Sequence, residues 1–315
     1  MEKLNNLFKD YDNSIKLNES DYNKMREKRN IIIKELKADE KIISFDHLNL
    51  GSYKLKTGVK YKDKDYDIDC GIRLNIKVEE LENYSAKKCK DDIYSVLYSY
   101  RTTSYKNKCI TAKYYKEGEP AYHVDFPIFA YDRDLGIYYL AEGKQNETVS
   151  WVESKPEDLI EYLNLKDDNY KRIVRILKKW NSKAFENKKK NSKAPSVALT
   201  ISVKEWFDEN TYKNDIDTLI AISKNIKELI NNDSIYKQNP FCNDNLYYKM
   251  DSDVDCVKIF EEELEKLIKT LVDSKELLAL SLYEVCKKLK KVLPDFPEPE
   301  KEEVEESFGS NKRYA

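Results

Sequence analysis

Apolar positions along this chain follow two regimes. Up to about residue 150, helical spacing alternates with short strand-like runs; beyond it, helical spacing dominates. Residues 1–38 read as a helical region, with Tyr22, Met25, Ile32, Ile33 and Leu36 as a partial stripe and Ser20 as its N-cap candidate. A strand is predicted over 42–50, then a helix over 84–104 with Ile93, Val96, Leu97 and Tyr100 at helical spacing. NKCITAKYYK and AYHVDFPIFAYD read as partner strands across the turn KEGEP, and GIYYLAEGK as another strand. Trp151 opens the helical half. SKPEDLIEYLN and PSVALTISVKEWF carry Pro156 and Pro195 at helix starts, NYKRIVRILKKWNSKAF lies between them, and a last amphipathic helix spans 273–291. Asp251, Asp253 and Asp255 alternate like metal ligands, but they precede a helix, where acids cap free amides and face the dipole. From Leu293 the prolines and acids of PDFPEPEKEEVEESF predict a flexible tail. The divisions are therefore an α+β core over 1–150, an all-α lobe over 151–292 and a tail over 293–315.

Composition narrows the function classes. A mean hydropathy of −0.77, with 36% charged residues, marks a soluble chain. No apolar run reaches the roughly 18 residues of a membrane span, and the N-terminus lacks a signal-peptide core. A cytoplasmic protein is expected, with no membrane partner. The net charge of −2 lacks the basic excess of proteins that wrap long nucleic acid, so small nucleotides fit better. The six cysteines show no C-x-x-C pair, which favours free buried thiols over disulfides or zinc. With only two histidines, imidazole-based chemistry is disfavoured.

The chemistry concentrates in 48–76, LNLGSYKLKTGVKYKDKDYDIDCGIRLNI. Strand residues alternate faces, so Asp67 and Asp69 point the same way. Paired carboxylates repel one another, and a divalent cation relieves that; hard oxygen ligands suit Mg²⁺. Gly51 and Ser52, between a strand and a helix start, offer backbone without a Cβ and a hydroxyl to a phosphate chain.

The order of strand, Gly-Ser, helix and Asp-x-Asp strand resembles the polymerase-β-like nucleotidyltransferases. That likeness implies a third carboxylate on a neighbouring strand. Asp125 fits, embedded among Val124, Phe126, Ile128 and Phe129. The motifs GSYKLKTG, YDIDCG, YHVDFP, VRILKKW and PSVALT together resemble the bacterial cGAS/DncV-like nucleotidyltransferases (CD-NTases) of anti-phage CBASS operons. The resemblance runs from the N-terminal helix to NPFCNDNL near residue 239. It implies a polymerase-β-like core with a long N-terminal spine helix, and a helical lobe completing the nucleotide pocket. It also implies template-independent joining of nucleoside triphosphates, ATP or GTP foremost, into a cyclic di- or trinucleotide second messenger. A downstream effector would be reached through that product. Asp67, Asp69 and Asp125 would hold two Mg²⁺ ions, with Mn²⁺ as a substitute. Gly51, Ser52, Lys178 and Ser196 would bind the triphosphate. The tail, ending in Ala315, would suit conjugation by a ubiquitin-ligase-like partner. A linear oligonucleotide synthetase, a single-nucleotide transferase and an inactive nucleotide-sensing scaffold stay open as alternatives.

Overall fold

A computed structural model describes residues 1–61, 66–77, 80–114 and 122–299. The expected KEGEP turn and the C-terminal stretch with Ala315 lie outside them. Compactness groups Leu17–Asn164 into one unit, and Met1–Lys16 with the described residues from Leu165 onward into another.

The first unit is organised by β2 (Tyr66–Leu74), whose even positions Ile68, Cys70, Ile72 and Leu74 are buried. They pack against α2 (Glu19–Ala38), through Met25, Ile32 and Leu36, and against α4 (Ala86–Tyr100), through Cys89, Ile93 and Leu97. α2 is the expected long helix, but its N-cap is Asn18, two residues before Ser20. Asn18 and Asp21 form a reciprocal capping box, and a separate helix α1 (Glu2–Ile15) precedes it. An amide oxygen at Asn18 meets the Asp21 N–H at 2.9 Å, so Ser20 is left inside the first turn.

β1 (Phe45–Asn49) pairs antiparallel with β2, and α3 (Gly51–Leu55) follows it directly. β3 (Thr103–Tyr105), β4 (Ile110–Tyr114), β5 (Tyr122–Phe126), β6 (Ile128–Asp132), β7 (Ile137–Glu142) and β8 (Ser150–Ser154) complete an eight-stranded mixed sheet. Its order is β3-β4-β5-β2-β6-β7-β8, with β1 on β2 off that path. The stretch AYHVDFPIFAYD is thus two strands. Both run parallel to β2, β5 along its first half and β6 along its second, and they meet at Pro127. Proline has no N–H to give a ladder, but its carbonyl still accepts from Ile72 at 2.8 Å. Trp151 belongs to β8 rather than to a helix. It pairs with Ala141, and its indole N–H donates to the Tyr84 carbonyl at 2.9 Å. The helix α5 (Pro156–Leu163) starts at Pro156 as expected and still belongs to this unit, so the helical half begins near 165.

The second unit contains α6 (Asp168–Ala184), α7 (Ser196–Trp206), α8 (Asp215–Lys227), the short pair β9 (Ile230–Asn231) and β10 (Ser234–Ile235), α9 (Tyr248–Asp251), α10 (Val254–Leu277) and α11 (Leu282–Leu289). The helix expected over 273–291 is therefore two. α10 ends at Leu277, and Ser281 caps α11 by accepting the Glu284 N–H. The acids at 251–255 divide. Asp251 accepts from the Ile235 N–H at 2.7 Å. Asp253 is the N-cap residue of α10 and Asp255 stands in its first turn, as expected, and both share the Lys189 ammonium at 2.9 Å each. α6 turns its charges inward. Arg175 is paired with Asp12 of α1 at 2.6 Å, and Arg172 with Asp215 of α8 at 3.0 Å, all four buried. The expected tail does not begin at 293. Leu293 and Phe296 have no exposed surface, and the Phe296 ring meets Phe8 and Tyr11 with centroids 4.9 and 5.3 Å apart. Two apolar residues with a place in a core outweigh the prolines and acids around them.

Candidate active site

The odd positions of β2 and β5 face away from the core that buries Ile68, Cys70, Val124 and Phe126. Asp67, Asp69, His123 and Asp125 are therefore on the opposite face. Register does the rest. Asp69 is the Cα partner of Asp125, and Asp67 of His123. On adjacent parallel strands such partners sit about 4.8 Å apart with side chains on the same side. β4 adds Thr111 opposite Asp125. The sheet thus brings Asp67, Asp69 and Asp125 onto one face.

Each acid has a distinct setting. Asp67 is 78% exposed, with His123 Nδ1 3.7 Å from its carboxylate. The Asp69 carbonyl accepts the Leu50 N–H at 3.0 Å, which seats the start of α3 against β2. Gly51, at φ +53°, then lies directly on the Asp69 carboxylate. A Cβ there would stand 1.8 Å from Oδ2. Asp125 accepts the Thr111 hydroxyl and stands 3.3 Å from the Lys106 ammonium through both oxygens.

Among the described residues no group of three or more His, Cys, Asp or Glu side chains is gathered to hold a metal ion. The donor set nonetheless fits divalent magnesium or manganese. It consists of hard carboxylate oxygens on one sheet face, beside a cradle that a side chain at Gly51 would fill. At Asp125 the Lys106 ammonium supplies a positive charge.

Sequence reasoning missed Thr111, Lys106 and Lys90. The alternation of Ile110, Thr111 and Ala112 carried the signal for Thr111, which is outward-facing yet only 2% exposed. Lys90 falls on the buried stripe of α4 with Cys89 and Ile93. Its ammonium is enclosed by the carbonyls of Lys106, Asn107, Ala141 and Gly143 at 2.7–3.3 Å. Burial pushes its pKa down to about 8. Cys109 stands beside this site; burial, and then the Asp125 charge, push its thiol up to about 12. Lys178 and Ser196 belong to the helical unit. Lys178 is buried on α6, and Ser196 is the first residue of α7.

Residues 47–129 match the family model of the nucleotidyltransferase domain of DncV-like cyclic GMP-AMP synthases. This stretch, about a quarter of the chain, is similar to a DncV-like nucleotidyltransferase domain. It takes in Gly51, Ser52 and all three aspartates. Solved structures agree on the fold over nearly the whole chain. Escherichia coli DncV in its 3′-deoxy GTP bound form gives a TM-score of 0.70 at 16% identity, over 90% of this chain and 93% of that one. Vibrio cholerae DncV in complex with the linear intermediate 5′ pppA(3′,5′)pG gives 0.69 at 14%, over 90% and 92%. The Bradyrhizobium diazoefficiens CD-NTase CdnG in complex with GTP gives 0.72 at 13%, over 98% and 99%. No curated protein matches by sequence. Among the described residues, no helix is long and apolar enough to cross a membrane.

Proposed function

We propose that this protein joins nucleoside triphosphates, without a template, into a cyclic di- or trinucleotide messenger of anti-phage defence. The observation that supports this most is the register of Asp69 with Asp125, beside a glycine that touches the Asp69 carboxylate. A scaffold protein has no use for acids so placed, since their mutual repulsion costs stability.

In each round a ribose hydroxyl attacks an α-phosphorus. The new oxygen–phosphorus bond forms as the bond to pyrophosphate breaks. Asp67, Asp69 and Asp125 would hold two Mg²⁺ ions, or Mn²⁺ in their place. Bound divalent cations would neutralise the triphosphate and lower the pKa of the attacking hydroxyl. Gly51 leaves room for the donor phosphates beside Asp69, and the Ser52 hydroxyl donates to them. Lys178 and Ser196 are proposed as further phosphate ligands on the strength of the VRILKKW and PSVALT motifs. Asp125 is the acid proposed to receive the hydroxyl proton, because it stands on its own strand, oriented by Thr111. Positioning and charge neutralisation carry most of such a reaction, so no histidine base is needed.

The test is to incubate the purified protein with each triphosphate, singly and in pairs, with Mg²⁺ or Mn²⁺, and to read product mass. A phosphatase-resistant product with no free ends is expected, with pyrophosphate released in step. Phosphatase-sensitive oligomers would instead make this a linear synthetase. Triphosphate binding with no pyrophosphate release under any pairing would leave only the sensing scaffold.

A further inference from the structure

We infer that Lys106 is a built-in cation latch on Asp125, holding this carboxylate until a divalent metal ion displaces it. The inference rests on the metal-binding reading of Asp125.

The main chain of Lys106 is fixed from both sides. Its N–H donates to the Cys109 carbonyl at 3.0 Å, and its own carbonyl accepts from the buried Lys90 ammonium at 2.9 Å. Lys90 also takes the Asn107 carbonyl at 2.7 Å and, from the end of β7 and the residue after it, those of Ala141 and Gly143. The loop between β3 and β4 is thereby tied to the sheet. The Lys106 side chain is not so confined: it is 52% exposed and reaches both Asp125 oxygens at 3.3 Å. A long charged arm on a fixed pivot can leave its partner without moving the backbone.

The carboxylate end of the pair is held more firmly. Thr111, directly opposite in the β4–β5 register, donates its hydroxyl to Oδ1. Asp125 therefore keeps its orientation whether or not Lys106 is present. The ammonium of the neighbouring Lys108 stands 3.8 Å from the Glu142 carboxylate. The ammonium offsets the Asp125 charge in a site where three acids share one face, and it competes with a divalent ion for the same oxygens.

Mn²⁺ binding without nucleotide, followed by electron paramagnetic resonance or calorimetry, tests this on the full chain. Lys106→Gln removes the competing charge at an exposed position. Mn²⁺ should bind it about three- to tenfold more tightly than wild type, the scale of an exposed ion pair plus a relieved like charge. Lys106→Arg should restore wild-type affinity. The difference should shrink as ionic strength rises, since screening weakens the latch. Equal or weaker Mn²⁺ binding by Lys106→Gln, with binding lost in Asp69→Asn, would overturn the latch and leave the metal site standing. Unchanged Mn²⁺ binding in an Asp67→Asn, Asp69→Asn double variant would overturn the metal site, and the latch with it.

Discussion

Gly51 cannot take a side chain without moving Asp69. Its φ of +53° disfavours any L side chain by about 1–2 kcal/mol, and the new methyl would overlap the carboxylate at 1.8 Å. Gly51→Ala should therefore lower stability by about that much, read from urea denaturation, and should reduce pyrophosphate release far more, about 100-fold or beyond, because the acid is pushed off its register. A loss of stability with full turnover would show that the Asp69 carboxylate needs no fixed place. A complementary outcome is expected for the Asp67→Asn, Asp69→Asn double variant, with product abolished while the circular dichroism spectrum and melting temperature are kept. These residues were legible in the sequence because period-2 alternation fixes which side chains share a face. Thr111 and Lys106 were not. Their placement depends on the pairing of β4 with β5 and on a loop geometry set by Lys90, neither of which a local pattern encodes.

At the scale of elements, buried charge holds pieces of the chain in place. The Lys90 ammonium ties α4 to the β3–β4 loop and to the end of β7 through four carbonyl oxygens. Lys90→Met should leave those oxygens without their donor and cost about 3 kcal/mol or more, measured by denaturant unfolding. A cost under about 1 kcal/mol would mean that water replaces the ammonium easily. The Arg175–Asp12 pair does the same for α6 and α1. Removing one partner, as in Asp12→Asn, should cost about 3–5 kcal/mol, and the Asp12→Leu, Arg175→Met double variant should recover most of it. Composition alone makes α6 a solvated basic helix. The structure buries Arg172, Arg175 and Lys178 because carboxylates distant in sequence stand opposite the two arginines. Helix existence could be read from spacing, but the partners of its charges could not. Helix ends were misjudged where a better cap stood nearby, at Asn18 and Ser281.

At the scale of the molecule, the helical unit is assembled from both ends of the chain. α1 packs with α6 and α8, and Phe296 closes on the same helix through Phe8 and Tyr11. The segment that looked like the start of a tail is thus part of a core. Pro294 and Asp295 make a turn, closed by the Phe296 N–H on the Leu293 carbonyl at 3.2 Å, and the apolar residues on either side, Leu293 and Phe296, are fully buried. Phe296→Ala should open a cavity against α1 and cost about 3–5 kcal/mol. A chain ending after residue 292 should melt several degrees below the full-length protein. Purified synthesis should follow stability in this series, because neither Leu293 nor Phe296 is assigned any part in binding substrate. If the chain ending at 292 melted with the full-length protein, the Phe296 contact would be dispensable. The functional boundary would then return to 293, where composition alone had placed it.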